Sequence, residues 1–180
     1  MEDSDILAIL RQYRHDLMNH LQIIQGYATL GQVDKVKQKI DEYVKELNKE
    51  RKLVNLNAPS FALWLIQFNG IHTNIQLTYD IHIDYANLES IDVPLTNQCD
   101  RVMALVKKHI EQNVFYEGTL TVMLTAADDL ECRIAFQGHF TCPERLENHL
   151  QTIQAPFPLQ QIDVDESSMS CVLTIPKHKR

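Results

Sequence analysis

The chain has 180 residues, with 17 Lys and Arg against 24 Asp and Glu and a formal net charge of −7, a length that holds one ordinary domain or two small ones. Hydrophobic residues make up 44% and charged residues 23%, which supplies a packed core and argues against disorder. No run of eighteen apolar residues offers a membrane span, and the lack of a long basic run argues against a nucleic-acid partner.

The start, Met1-Glu2-Asp3-Ser4-Asp5, is acidic and carries no signal-peptide pattern, so the expected location is cytoplasmic. A first helix is predicted from Ser4 to Leu30. Its apolar residues recur at Ile6, Leu10, Tyr13, Leu17, Leu21, Ile24 and Ala28, in steps of three and four that mark one helical face. Ser4 or Asp5 is the expected cap. Gly31 can end the helix in the left-handed conformation. A second helix runs from about Asp34, the better capping candidate, to Leu53 or beyond. Its apolar stripe is Val36, Ile40, Tyr43, Val44, Leu47 and Val54. So short a turn makes the two helices antiparallel neighbours. Each stripe needs more cover than the other supplies. A second hairpin from another copy would complete a four-helix bundle, so a symmetric homodimer is expected.

Asn57-Ala58-Pro59 breaks the pattern. It divides a helical domain, 1–57, from a second domain, 58–180. There, Ser60 is expected to cap a third helix, Phe61 to Phe68, ended by Asn69-Gly70. Ile75 to Ile83 alternates as a strand. Pro94 opens a helix to about Asn113. Leu120–Thr125 and Glu131–Phe140 read as a hairpin turning at Ala127-Asp128-Asp129. Pro143–Ile153 is a short helix and Ser170–Ile175 a last strand. The whole is an α+β chain: a helical hairpin followed by an α/β sandwich with its helices on one side.

Charge is uneven. From Arg11 to Lys52 nine Lys and Arg face six Asp and Glu, a net +3 in an acidic protein. Such a segment can dock an acidic partner, although a solvated helix face explains it as simply. On this first helix His15 falls about 160° from the centre of the apolar stripe, beside Arg11, Asn19 and Gln22. His20 falls about 60° from it, on the shoulder. Arg14 and Asp16 flank His15. A histidine on an outer helix face is most simply ordinary surface. A cation, a carboxylate and an amide around one imidazole suit nucleophilic work on an anion. His15 and His20 are five apart, so they do not make the i,i+4 pair of a helical metal site. Cys99, Cys132, Cys142 and Cys171 are scattered and form no CxxC pair, as expected for reduced thiols.

Arg14-His15-Asp16-Leu17-Met18-Asn19-His20-Leu21 resembles the phosphoacceptor box of the sporulation initiation phosphotransferase B family, and related boxes of citrate-type sensor histidine kinases. The resemblance covers nearly the whole chain: box, helical hairpin, then a domain similar to a histidine-kinase ATPase domain. It implies that His15 is the phosphoacceptor, taking phosphoryl from one response regulator's aspartate and passing it to another's. Asp16 and Asn19 would then serve the same site, with Arg11, Arg14 and Gln22 meeting the response-regulator receiver domains. It also implies a homodimer that binds no cofactor or metal of its own, the Mg²⁺ coming with the receiver.

A kinase of this type carries an Asn that helps hold Mg²⁺ and a D-x-G-x-G loop at the nucleotide. On this resemblance Lys108 stands where the Asn would be, Phe136 in place of the Asp and Phe140 in place of the second Gly. No D-x-G-x-G occurs anywhere in the chain. The second domain therefore resembles a degenerate kinase domain that has lost ATP. The alternatives are an ATP-dependent sensor histidine kinase fragment and a non-catalytic dimeric adaptor.

Overall fold

The structure is a computed structural model that describes residues 3–176. In the first helix, side chains are described for Leu7, Leu10, Arg11 and from Tyr13 onward. Ser4 and Asp5, the expected cap, and Ile6 lie outside the described side chains. The chain forms two compact units that part between Glu50 and Arg51.

The first unit is a helical hairpin of α1 (Asp3–Thr29) and α2 (Val33–Val54), the latter running on into the second unit. Gly31 sits at φ 68°, a conformation that only glycine adopts without strain. Around it Gln32 N–H donates to Tyr27 O at 2.9 Å and Gly31 N–H to Ala28 O at 3.0 Å, the paired bonds that close a helix end. Asp34 lies inside the first turn of α2 rather than at its cap, where it still favours the positive end of the dipole. The helices run antiparallel, with Lys35 Nζ 5.3 Å above the Tyr27 ring and His20 stacked on Tyr43 at 4.4 Å. Among the described residues of this unit no side chain is fully buried. Leu10 is 58% exposed, and Tyr13, Leu21, Ile40 and Val44 are 43–47% exposed. The two stripes thus cover each other only in part.

The second unit starts in the last turn of α2, where Leu53 is buried. Its start at Arg51 precedes the break at Asn57 because the chain after α2 is already strapped down. Ala86 N–H donates to Asn55 O, Leu88 N–H to Leu56 O, and Asn57 Nδ2 to Asn87 Oδ1. The unit continues as α3 (Pro59–Ile71), β1 (Ile75–Ile81), a 3₁₀ turn at Glu89–Ile91, α4 (Asp92–Val106), β2 (Tyr116–Leu124), β3 (Leu130–Gln137), α5 (Pro143–Gln151), β4 (Leu159–Val164) and β5 (Ser168–Ile175). The strands form one sheet in the order β1-β2-β3-β5-β4. β1 and β2 are parallel, joined across α4, and the other pairs are antiparallel. Buried residues alternate along β2 and β3, at Tyr116, Leu120 and Val122 and at Leu130, Cys132, Ile134 and Phe136. One face is therefore covered, by α3 against β1 and α4 and by α5 against β4 and α4.

Four sequence expectations are corrected here. Ser60 does not cap α3. The N-cap position is Ala58, and the buried carboxylate of Asp92 reaches across to accept from Ser60 N–H at 2.9 Å and Phe61 N–H at 2.8 Å. The helix opened at Pro94 ends at Val106 rather than near Asn113. A β-bridge between Ile110 and Phe140 draws the chain away from the helix axis, and Tyr116 N–H then joins Asn74 O beside β1. The next strand accordingly starts at Tyr116 rather than Leu120. β4 was not expected at all: it is polar and lies at the sheet edge, and its register shifts between Gln160 and Asp163. The opposite edge is closed differently, by the Asn69 side-chain amide, which pairs with both N–H and C=O of Leu77.

Candidate active site on the first helix

The apolar stripe of α1 fixes the rotation of the helix, and with it the direction of each polar side chain. His15 is 68% exposed and Asp16 54%. Arg11, Arg14, Asn19 and Gln22 are also exposed. Nδ1 of His15 has two neighbours at 3.2 Å, Asp16 Oδ1 and Asn19 Nδ2. They ask for opposite tautomers. With hydrogen on Nδ1 the ring donates to Asp16, and the Nε2 lone pair points outward. With hydrogen on Nε2 the ring accepts from Asn19, and no nucleophilic lone pair remains on the outer side. Both interactions engage Nδ1, and among the described residues none reaches Nε2.

So His15, Asp16 and Asn19 form one cluster. Arg11, Arg14 and Gln22 are not in hydrogen-bond contact with it and lie along the same exposed helix. Met18, which sequence reasoning passed over as apolar, is 47% exposed one turn from His15. His20 is held differently. Its side chain is 23% exposed, its ring lies on Tyr43, and Nε2 is 3.5 Å from Glu46 Oε2. Its Nδ1 is buried. Glu46, the partner from α2, could be found only once the hairpin register was known.

Two family models match the chain end to end: the SpoOB-type sensor kinase alpha-helical domain over residues 1–56, and the C-terminal domain of sporulation initiation phosphotransferase B over residues 57–176. The chain belongs to the sporulation initiation phosphotransferase B family. It is 24% identical over 173 residues to sporulation initiation phosphotransferase B of Bacillus subtilis (strain 168), covering 96% of this chain and 89% of that one. Among solved structures it is similar to the histidine kinase domain of the blue-light-activated kinase of Erythrobacter litoralis, at TM-score 0.47 and 12% identity over 67% of this chain and 65% of that one. It is also similar to histidine kinase ThkA in complex with response regulator protein TrrA, at TM-score 0.43 and 15% identity over 98% of this chain and 64% of that one.

In this member of the phosphotransferase B family, the positions equated above with a nucleotide loop are filled by core. Phe136 and Phe140 are each 1% exposed and Tyr116 is fully buried. The Tyr116 hydroxyl donates to His139 O and accepts from Glu111 N–H. Gly138 is shaped for that ring: a Cβ there would lie 2.1 Å from Tyr116 Cδ1, and its φ is 151°. Lys108 is exposed in the turn after α4. Cys99, Cys132 and Cys171 are buried together. A hydrogen bond to Cys132 and then burial push the Cys99 thiol up, and burial pushes Cys171 up to about 12, which keeps both as unreactive thiols. Among the described residues no three ligating side chains converge on a metal position, and no helix is long and apolar enough to cross a membrane.

Proposed function

We propose that the chain is a phosphorelay histidine phosphotransferase of sporulation initiation, moving a phosphoryl group between response-regulator aspartates through a phosphohistidine at His15. The observation that carries this reading is the asymmetric imidazole, engaged at Nδ1 by Asp16 and Asn19 and met at Nε2 by none of the described residues. A receiver domain presents its aspartyl phosphate to the outer face of α1. Nε2 of His15 attacks phosphorus in line, the bond from phosphorus to the aspartate oxygen breaks, and the receiver's carboxylate leaves. The ring becomes a phosphoimidazolium that keeps hydrogen at Nδ1, where the Asp16 carboxylate holds it and offsets its charge. Reversal with a second receiver returns the phosphoryl group to an aspartate. Such transfers pass through a loose transition state, so the chain's work is placement more than covalent help.

Asn19, one turn above His15, is placed to donate to a phosphoryl oxygen once the Nδ1–H tautomer has released it. Arg11, Arg14 and Gln22 are assigned to the receiver surface, and Arg14 steers rather than clamps because it lies about 100° round the helix from His15. The reading leaves Mg²⁺ with the receiver. It also takes the working form to be a homodimer in which a second hairpin covers Leu10, Tyr13, Leu21, Ile40 and Val44. Support for that comes from their 43–58% exposure in stripes too regular to be surface. The test is incubation with phosphorylated receivers, followed by detection of acid-labile phosphate on the chain.

A further inference from the structure

Away from α1, two histidines meet, one in the turn after α4 and one in the last turn of α5. His109 Nε2 and His149 Nδ1 are 3.2 Å apart. The ring centroids are 5.4 Å apart, so the rings meet nearly end to end. A metal held by both would need their lone pairs to converge off that line. An end-to-end pair is instead a hydrogen bond, with one proton between two nitrogens. His109 is 7% exposed, while His149 is on the surface. The bond ties α5 to a turn that is itself tethered: His109 O accepts from Thr141 N–H at 3.3 Å and Ile110 bridges Phe140. Apart from this bond, α5 is anchored by Leu146 and Leu150.

We infer that His109 and His149 form a proton-counting latch, which holds the end of α5 with none or one added proton and releases it with two. The proton count follows from the ring atoms. In the neutral pair one nitrogen at the contact carries hydrogen and the other accepts. The first added proton goes to the free nitrogen of the donor ring, which leaves the bond in place and makes it charge-assisted. The only lone pair then left is the accepting nitrogen itself. A second proton must go there, so two N–H groups and two positive rings face each other.

The surroundings oppose that state. The charges acting on His109 are His149 and Arg145 from α5 and Lys108 from its own turn, while nearby Glu111 is paired with His139 at 3.5 Å. Burial first, and then these neighbours, hold His109 below the ordinary histidine range. Being depressed, it stabilises the folded chain above the unfolded histidine value. That stability is lost as pH falls through the folded one. The exposed ring, His149, is the one free to swing away.

Hydrogen exchange on the full chain, corrected for intrinsic rates and read against β3 as internal reference, tests this. Protection of residues 143–153 should fall about tenfold between roughly pH 7.5 and 4.5. In His149→Gln, whose amide keeps a donor and an acceptor but takes no proton, the fall should stay under about twofold. His139→Gln should follow the unmodified chain. Ring ¹⁵N shifts should show two uptake steps, with loss of protection accompanying the second. Unchanged protection, an equal fall in His149→Gln, or release with the first proton would each overturn the inference.

Discussion

Replacing Asp92 with alanine probes the joint that sets the second unit's helices on the sheet. Helix α3 has no side-chain cap of its own, and Asp92 supplies one from 31 and 32 residues away at 2.8 and 2.9 Å. Asp92→Ala leaves the buried Phe61 N–H without its acceptor, a loss of about 1–3 kcal/mol. The half-buried Ser60 N–H can recover water and adds about 0.5–1 kcal/mol. The expected destabilisation is about 2–3 kcal/mol. Asp92→Asn keeps the shape and one oxygen, and should lose roughly half as much. The assay is urea unfolding followed by the fluorescence of Trp64, the single tryptophan, which lies on α3 itself and donates to Asp100 at 2.5 Å. At a slope of about 1.5 kcal/mol per molar, the alanine midpoint should fall by about 1.3–2 M. An alanine variant within about 0.5 kcal/mol of the unmodified chain would refute the cross-helix cap.

Sedimentation at micromolar concentration should give twice the chain mass, and Leu17→Asp or Ile40→Asp should halve it by placing a charge in the bundle core; a folded monomer of the unmodified chain would contradict the bundle. Calorimetry with Mg·ATP should show no saturable heat, since no D-x-G-x-G occurs in the chain and Phe136 and Phe140, read against that loop, are core side chains; saturable binding with labelling of His15 would make the chain a kinase. Asp165 accepts hydrogen bonds from the backbone and hydroxyl groups of Ser167 and Ser168, which bring its carboxyl down to about 2. Its contribution to the β4–β5 turn is therefore present above the unfolded value near 3.8 and is lost as pH falls through about 2. Carboxyl chemical shifts should show that titration, and an ordinary midpoint would refute the turn geometry.

What was legible in the sequence was whatever a repeating pattern carries. Apolar steps of three and four placed α1 and α2, Gly31 marked the turn, and Ile75 to Ile83 alternated clearly enough to give β1, which ends two residues sooner at Ile81. The direction of His15 came with the helix phase, because one stripe fixes the rotation of every residue on it. The rest depended on contacts distant in the chain. Nothing near Ser60 reveals that Asp92 will do its work, and a local serine looked sufficient. The helix from Asp92 stops early because of Phe140, more than thirty residues on. β4 is an edge strand of glutamines and acids with a register shift, so neither period 2 nor hydrophobicity marks it. At the candidate site, residue types and spacing gave the cluster of His15, Asp16 and Asn19. Which ring nitrogen they hold, and that His20 is braced by Tyr43 and Glu46 instead, required the coordinates.

The most direct test of the account is transfer of labelled phosphoryl from a phosphorylated receiver domain to the unmodified chain, His15→Gln and His20→Gln in parallel. The unmodified chain and His20→Gln should take up acid-labile label, because the imidazole open at Nε2 is intact in both. His15→Gln should take up none while remaining folded and dimeric, since glutamine offers no comparable nucleophilic nitrogen at an exposed position that tolerates the change. Label on folded His15→Gln, with none on folded His20→Gln, would contradict the assignment of the acceptor and the mechanism built on it.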